Sequence, residues 1–212
     1  MKEGSLRRTL LTAMLLLNML PVAARDLPFA PPKPKAKVNP IVMLPSEHET
    51  LVAQLEAGWT PGIKLEQEGL IRCRQFFGPG SNEEIMRQMV NVATYLNAPK
   101  RQNARDFMER ARKETEKMVP KDKLVWNTIA NTNPDDVIFE FTIKGFIDAP
   151  DEYECERVIR GEDGMHAVIY HLGNPDASEQ EREKALAWVK SVRVDKHSNE
   201  AVADSKDEPR TH

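Results

Sequence analysis

Apolar and polar positions alternate most cleanly over residues 136–144, where Val137, Phe139, Phe141 and Ile143 take turns with Ile138, Glu140, Thr142 and Lys144. A period of two is the mark of a strand with its two faces in different surroundings. Similar runs predict strands from Trp59 to Lys64, from Leu70 to Phe77 and over about 88–96, then over 123–130, 152–160 and 165–172. Glu68-Gly69 and Glu162-Asp163-Gly164 read as hairpin turns, and Gly78-Pro79-Gly80 as a firm stop. Asn82 followed by Glu83 and Glu84 reads as one helical turn before the third of these strands.

A period near 3.6 appears in three places. Leu51, Val52 and Leu55 predict a short helix over 48–56. Phe107, Met108, Ala111, Thr115 and Met118 form an apolar stripe on a helix that Asn103 caps, with Asp106 placed to return the capping contact. Its other face pairs Arg105/Glu109, Glu109/Lys113, Arg110/Glu114 and Arg112/Glu116 four residues apart, a solvated ladder. Ser178 and Glu181 form a capping box for a last helix to about Val192, burying Ala185, Leu186, Val189 and Val192, with Trp188 at the stripe's edge. Consecutive strands with short connections pair antiparallel, and each striped helix must cover a face. The predicted class is α+β: an antiparallel β-sheet covered by amphipathic helices. No internal repeat is visible.

The two ends differ from this middle. Residues 1–24 run from a basic start (Lys2, Arg7, Arg8) through an apolar stretch at Leu10–Leu17 to Pro21 and Val22-Ala23-Ala24. That is the order of a Sec-type signal peptide cleaved after Ala24, and the apolar core is shorter than the roughly 20 residues a membrane span needs. An uncleaved signal anchor is the alternative. Export implies a periplasmic or secreted protein with no stable membrane insertion after cleavage. Residues 25–45, with five prolines between Pro28 and Pro40, read as an extended tether. Residues 196–212 are polar and read as a disordered tail. One α+β domain over residues 46–195 remains.

Charge narrows the partners. The chain has 30 basic and 33 acidic residues. Without Lys2, Glu3, Arg7 and Arg8 the mature chain carries 27 and 32, a net of −5. This argues against nucleic acid, whose binding rests on clustered Lys and Arg, and leaves an envelope protein or a small ligand as partner.

Candidate chemistry is sparse. Cys73 and Cys155 are open to three readings, a disulfide allowed by an oxidising compartment, two small buried residues, or, least favoured, a catalytic thiol. Their spacing matches no zinc or redox motif. His166 and His171 lie five apart on one strand, hence on opposite faces, so neither a metal site nor a cofactor is expected. Charged residues inside the strands fit a sheet face partly open to water and laced with cross-strand ion pairs. The sharper alternative is a polar concavity in which Glu140, Arg157 or Arg160, His166 and Tyr170 converge on a ligand. Trp126 reads as core. The chain lacks G-x-S-x-G, H-E-x-x-H, a phosphate-binding glycine loop and Ser-x-x-Lys, so no catalytic residues are assigned.

Several stretches resemble small exported bacterial proteins whose function is uncharacterised: Leu124-Val-Trp-Asn-Thr-Ile-Ala, Val137-Ile-Phe-Glu-Phe, and Glu156-Arg157 followed by Arg160-Gly161 and Gly164-Met-His166. Gly69-Leu-Ile-Arg-Cys-Arg-Gln-Phe-Phe-Gly-Pro-Gly is similar to their second strand. The resemblance spans about residues 57–192. It implies a PsbP-like α/β/α sandwich, also seen in a Ran-binding nuclear transport factor, among relatives that are mostly non-catalytic accessory or binding proteins. The expectation is therefore an exported non-catalytic accessory or binding protein. A secreted hydrolase with an unrecognised polar site around Glu140, Arg157 and His166 is one alternative, and a secretion-system or virulence-associated envelope component is another.

Overall fold

Seven strands of the central sheet form two meanders that meet in the middle. The computed structural model describes residues 40–82, 87–149 and 151–197, with the side chains of 131 and 132 left aside. The expected signal peptide, residues 25–39 of the tether, residues 198–212 of the tail and the helical turn after Asn82 lie outside the described residues. The strands are β1 (Ile41–Pro45), β2 (Glu49–Gln54), β3 (Thr60–Gln67), β4 (Ile71–Phe77), β5 (Gln88–Tyr95), β6 (Leu124–Asn133), β7 (Asp136–Ile143), β8 (Glu152–Arg160), β9 (Met165–Leu172) and β10 (Arg193–Lys196). Helices α1 (Ala104–Met118) and α2 (Glu179–Ser191) interrupt them. The central sheet has the order β3-β4-β5-β9-β8-β7-β6, with every pairing antiparallel. The chain leaves β5 in the middle, crosses one face through α1, and re-enters at the β6 edge.

The two faces have separate cores. On one, Phe139, Phe141, Ala93, Ala167 and Val158 meet the α1 residues Ala104, Phe107 and Met108. Trp126 joins them as expected, its ring stacked on Phe139 at 4.8 Å and on Phe141 at 5.2 Å, with the Arg112 guanidinium over it. The Asn103 side chain accepts the Asp106 amide and starts α1. On its outer side Arg112 and Glu116 close at 2.8 Å, while Glu114 takes Lys117 instead of Arg110. On the other face, Val90, Val92, Tyr153, Val168 and Tyr170 meet α2 through Ala185 and Val189, and meet a second small sheet through Leu44 and Leu51. The capping box at Ser178 is complete. The protein is thus α+β, an antiparallel sheet with a helix on each side.

The small sheet, order β1-β2-β10, corrects three expectations. Residues 48–56 are not helical. As the middle strand, β2 is buried from Glu49 through Ala53, so the alternation that marks a half-covered strand is missing and the run mimics helical spacing. The tether does not reach Pro45, because Val42 and Leu44 are buried in β1, an edge strand that tolerates its terminal proline. The tail does not begin at 196, because Arg193–Lys196 pair with β2 and the His197 imidazole lies 2.8 Å from the Thr50 hydroxyl. Among the described residues no helix is long and apolar enough to cross a membrane.

Candidate functional site

The five residues expected to converge are held apart by the sheet. Glu140, Arg157, His166 and Tyr170 share the face toward α2 and the small sheet, whereas Arg160 has the parity of Val158 and belongs to the α1 face. Glu140 accepts from Tyr153 Oη at 2.7 Å and Asn127 Nδ2 at 3.0 Å. The Arg157 guanidinium donates to both oxygens of Asp136, at 2.8 and 2.7 Å, and its Nη1 reaches the carbonyls of Val189, Lys190 and Val192. It therefore fastens the C-terminal end of α2 to the sheet. The Tyr170 hydroxyl meets the Gln88 amide, and its ring packs edge-on to Trp59 and Trp188. In register, Glu140 and His166 are two strands and four residues apart, about 16 Å at ordinary strand spacings. These groups do not form one polar concavity.

His166 belongs instead to a buried latch. Its Nε2 is 3.0 Å from Glu49 Oε1, and its Nδ1 is 2.9 Å from the Thr94 hydroxyl. Glu49 Oε1 also accepts the Asp163 amide, and Oε2 the Glu162 amide, both at 3.0 Å. Burial pushes the Glu49 carboxyl up, but the two amides and the imidazole outweigh it and hold Glu49 below the usual carboxylate range. Burial lowers the His166 pKa despite that carboxylate. The pair is thus a carboxylate accepting from a neutral imidazole: Nε2–H faces Glu49, and Nδ1 accepts from Thr94. Outside it, Asp163 takes the His48 backbone amide at 2.6 Å and contacts its Nδ1 at 2.5 Å. The β8–β9 turn and β2 are locked together, so His166 is structural.

The most unusual chemistry lies on the α1 face. Glu152, Glu154 and Glu156 follow one another at every second residue of β8, with only 1%, 1% and 8% of their surface exposed. The expected wet face does not exist here, because β8 is an interior strand whose α1 side is covered. His171, also buried, stands directly opposite Glu154 in the register. Its Nδ1 is 3.0 Å from Glu154 Oε1 and 3.4 Å from Glu152 Oε2. Neither Oε2, of Glu152 or of Glu154, receives a hydrogen bond from an N–H or hydroxyl among the described residues. Burial, then repulsion from Glu154, pushes Glu152 up to about 8, with His171 opposing. Burial also raises Glu154 and Glu156. For Glu156 the neighbouring Glu154 charge pushes in the same direction as burial. Among the described residues no Lys or Arg forms an ion pair with any of the three.

Sequence reasoning missed this cluster by searching for paired histidines. The usable signal was three glutamates on one face of a strand whose neighbour carries Val137, Phe139, Phe141 and Ile143 in alternation, the apolar face that the glutamates share once the two strands pair. Cys73 and Cys155 are free and buried. They sit in different cores on opposite faces, and β5 and β9 separate their strands, so no disulfide can join them. Burial pushes both thiols up to about 12, far from nucleophilic use at neutral pH.

No protein-family model matches the chain, and no curated protein matches it. Among solved structures, the Ran-binding protein Mog1p of Saccharomyces cerevisiae is similar at 12% identity and a TM-score of 0.40, covering 72% of this chain and 84% of that one. A Mog1 protein carrying a point substitution gives the same identity and score over 71% and 84%. Likeness of that degree carries no argument about what this chain binds or does, and the fold described above stands on the chain's own strand pairings.

Proposed function

We propose that the chain is an exported, non-catalytic accessory or binding protein of the bacterial envelope, built on a PsbP-like sandwich. The observation that carries the non-catalytic reading is how the polar residues of the α2 face are engaged. Glu140, Arg157 and His166 each hold a different pair of elements together, and each is spent on its own internal partner. A general acid, a base and a substrate would have to meet within hydrogen-bond reach, and this face spreads its candidates across three strands. Support for export comes from the basic, apolar and small-residue order of residues 1–24.

The test combines location with activity. Fractionation of the native host and N-terminal sequencing of the recovered protein should yield an envelope or extracellular product beginning at Arg25. Capture from envelope extract should return a defined partner, and ester, peptide and glycoside panels should show no turnover. A product retained in the cytosol, or turnover that disappears in Glu140→Gln, would overturn the reading.

A further inference from the structure

We propose that Glu152, Glu154 and His171 are the protein ligands of a buried site for one divalent transition-metal ion. The inference goes beyond the export reading and does not depend on it. Backbone geometry brings the three together before any side chain is considered. Glu152 and Glu154 are two residues apart on one face of β8, and His171 lies across from Glu154 on β9, so the three Cα positions make a compact triangle. Their ligand atoms lie within 4.8 Å of one another. A tetrahedral ion with bonds of about 2.0–2.1 Å spaces its ligand atoms about 3.3–3.4 Å apart. Nδ1 of His171 stands 3.0 and 3.4 Å from the two carboxylate oxygens, which brackets that edge.

The second observation is Glu152 Oε2. It belongs to a side chain that is 2% exposed, lies 3.4 Å from Nδ1 of His171, and accepts no hydrogen bond. Buried polar atoms are nearly always satisfied, and an orphaned oxygen facing an imidazole nitrogen calls for a cation or a proton. Charge favours the cation. Two carboxylates and one M²⁺ are neutral together, so a divalent ion offsets the repulsion between two carboxylates buried side by side. The nitrogen-and-oxygen donor set with a single imidazole suits Zn²⁺, Mn²⁺ or Fe²⁺ over the all-oxygen preference of Ca²⁺.

Zn²⁺ is the probe. The full chain is stripped with chelator, incubated long enough for a buried site to load, and titrated in competition with a chromophoric chelator. Wild type should bind one ion, and Glu152→Gln and Glu154→Gln should each weaken binding by at least the roughly 10–100-fold that losing an outer-shell partner costs. His48→Gln should leave binding unchanged. This variant matters because Glu47, His48 and Asp163 form an exposed trio also able to trap an ion. Circular dichroism confirms that each variant is folded, and X-ray absorption of the Zn²⁺-loaded wild type should show one nitrogen with oxygens in the first shell. Absence of stoichiometric binding, binding unaltered by both glutamine variants, or binding lost with His48→Gln would each overturn the proposal and leave protons as the charges that neutralise the cluster.

Discussion

Gly161 and Glu49 are neighbours only because Gly161 has no side chain. A Cβ at that position would overlap both Glu49 Oε1 and His166 Nε2. The contact lets β2 slide its buried carboxylate under the β8–β9 turn and collect two backbone amides. Gly161→Ala should therefore force Glu49 out of its cradle and strand its charge, destabilising the fold by about 2–4 kcal/mol. Urea unfolding measures the loss. Amide exchange should also show β2 and β10 opening before the central sheet, and a uniform loss of protection would contradict the latch.

Arg157 supplies a second prediction. It clamps Asp136 with two donors while a third covers the last carbonyls of α2. Lysine keeps the charge but cannot hold a carboxylate and a helix terminus at once. Arg157→Lys should cost about 2–3 kcal/mol and lower the exchange protection of α2. A variant as stable as wild type would show that charge alone suffices.

The two buried clusters respond to pH with opposite signs. Glu49 and Asp163 have folded pKa values below their unfolded ones, so their stabilisation is present above about pH 4.5 and is lost as pH falls through the folded values. His166, also lowered, adds a loss that begins as pH drops below about 6.5. Glu152, Glu154 and Glu156 are raised, so the folded state holds protons that the unfolded chain has released, and stability declines as pH climbs from about 4.5 through the raised values. In chelator-treated buffer, Glu154→Gln should match wild type near about pH 4.5 and exceed it near about pH 8. Unfolding curves across that range decide it, and a variant less stable at the alkaline end would contradict the assignment.

Thiol chemistry gives a fourth test. Both cysteines are free in separate cores. A thiol reagent should find none in the native protein and both in denaturant, with reductant leaving the melting temperature unchanged. A reductant-sensitive melting temperature would require a bridge that this fold cannot make.

Much of the architecture was legible because burial in it is one-sided or sharply punctuated. Val137, Phe139, Phe141 and Ile143 announced β7, Asn103 and Ser178 marked both helix starts, and Glu162-Asp163-Gly164 marked the turn between β8 and β9. The small sheet was not legible. β2 is buried along its whole length, β10 is four residues of mostly exposed side chains held by backbone bonds, and β1 follows a proline run. The glutamates of β8 were visible as residues but not as buried ones. A carboxylate written in a strand looks solvated until the order of the neighbouring strands is known, and that order depends on where α1 carries the chain.

β1 and β10 flank β2 from opposite sides and run in the same direction. The chain enters this layer at Pro40, at one end of the strands, and leaves it at His197, at the other. Tension applied between those points pulls the outer strands past their shared centre lengthwise, loading the inter-strand bonds together in shear instead of unzipping them singly. The layer that looks like a minor appendage of the larger sheet is thereby the mechanical clasp of the molecule.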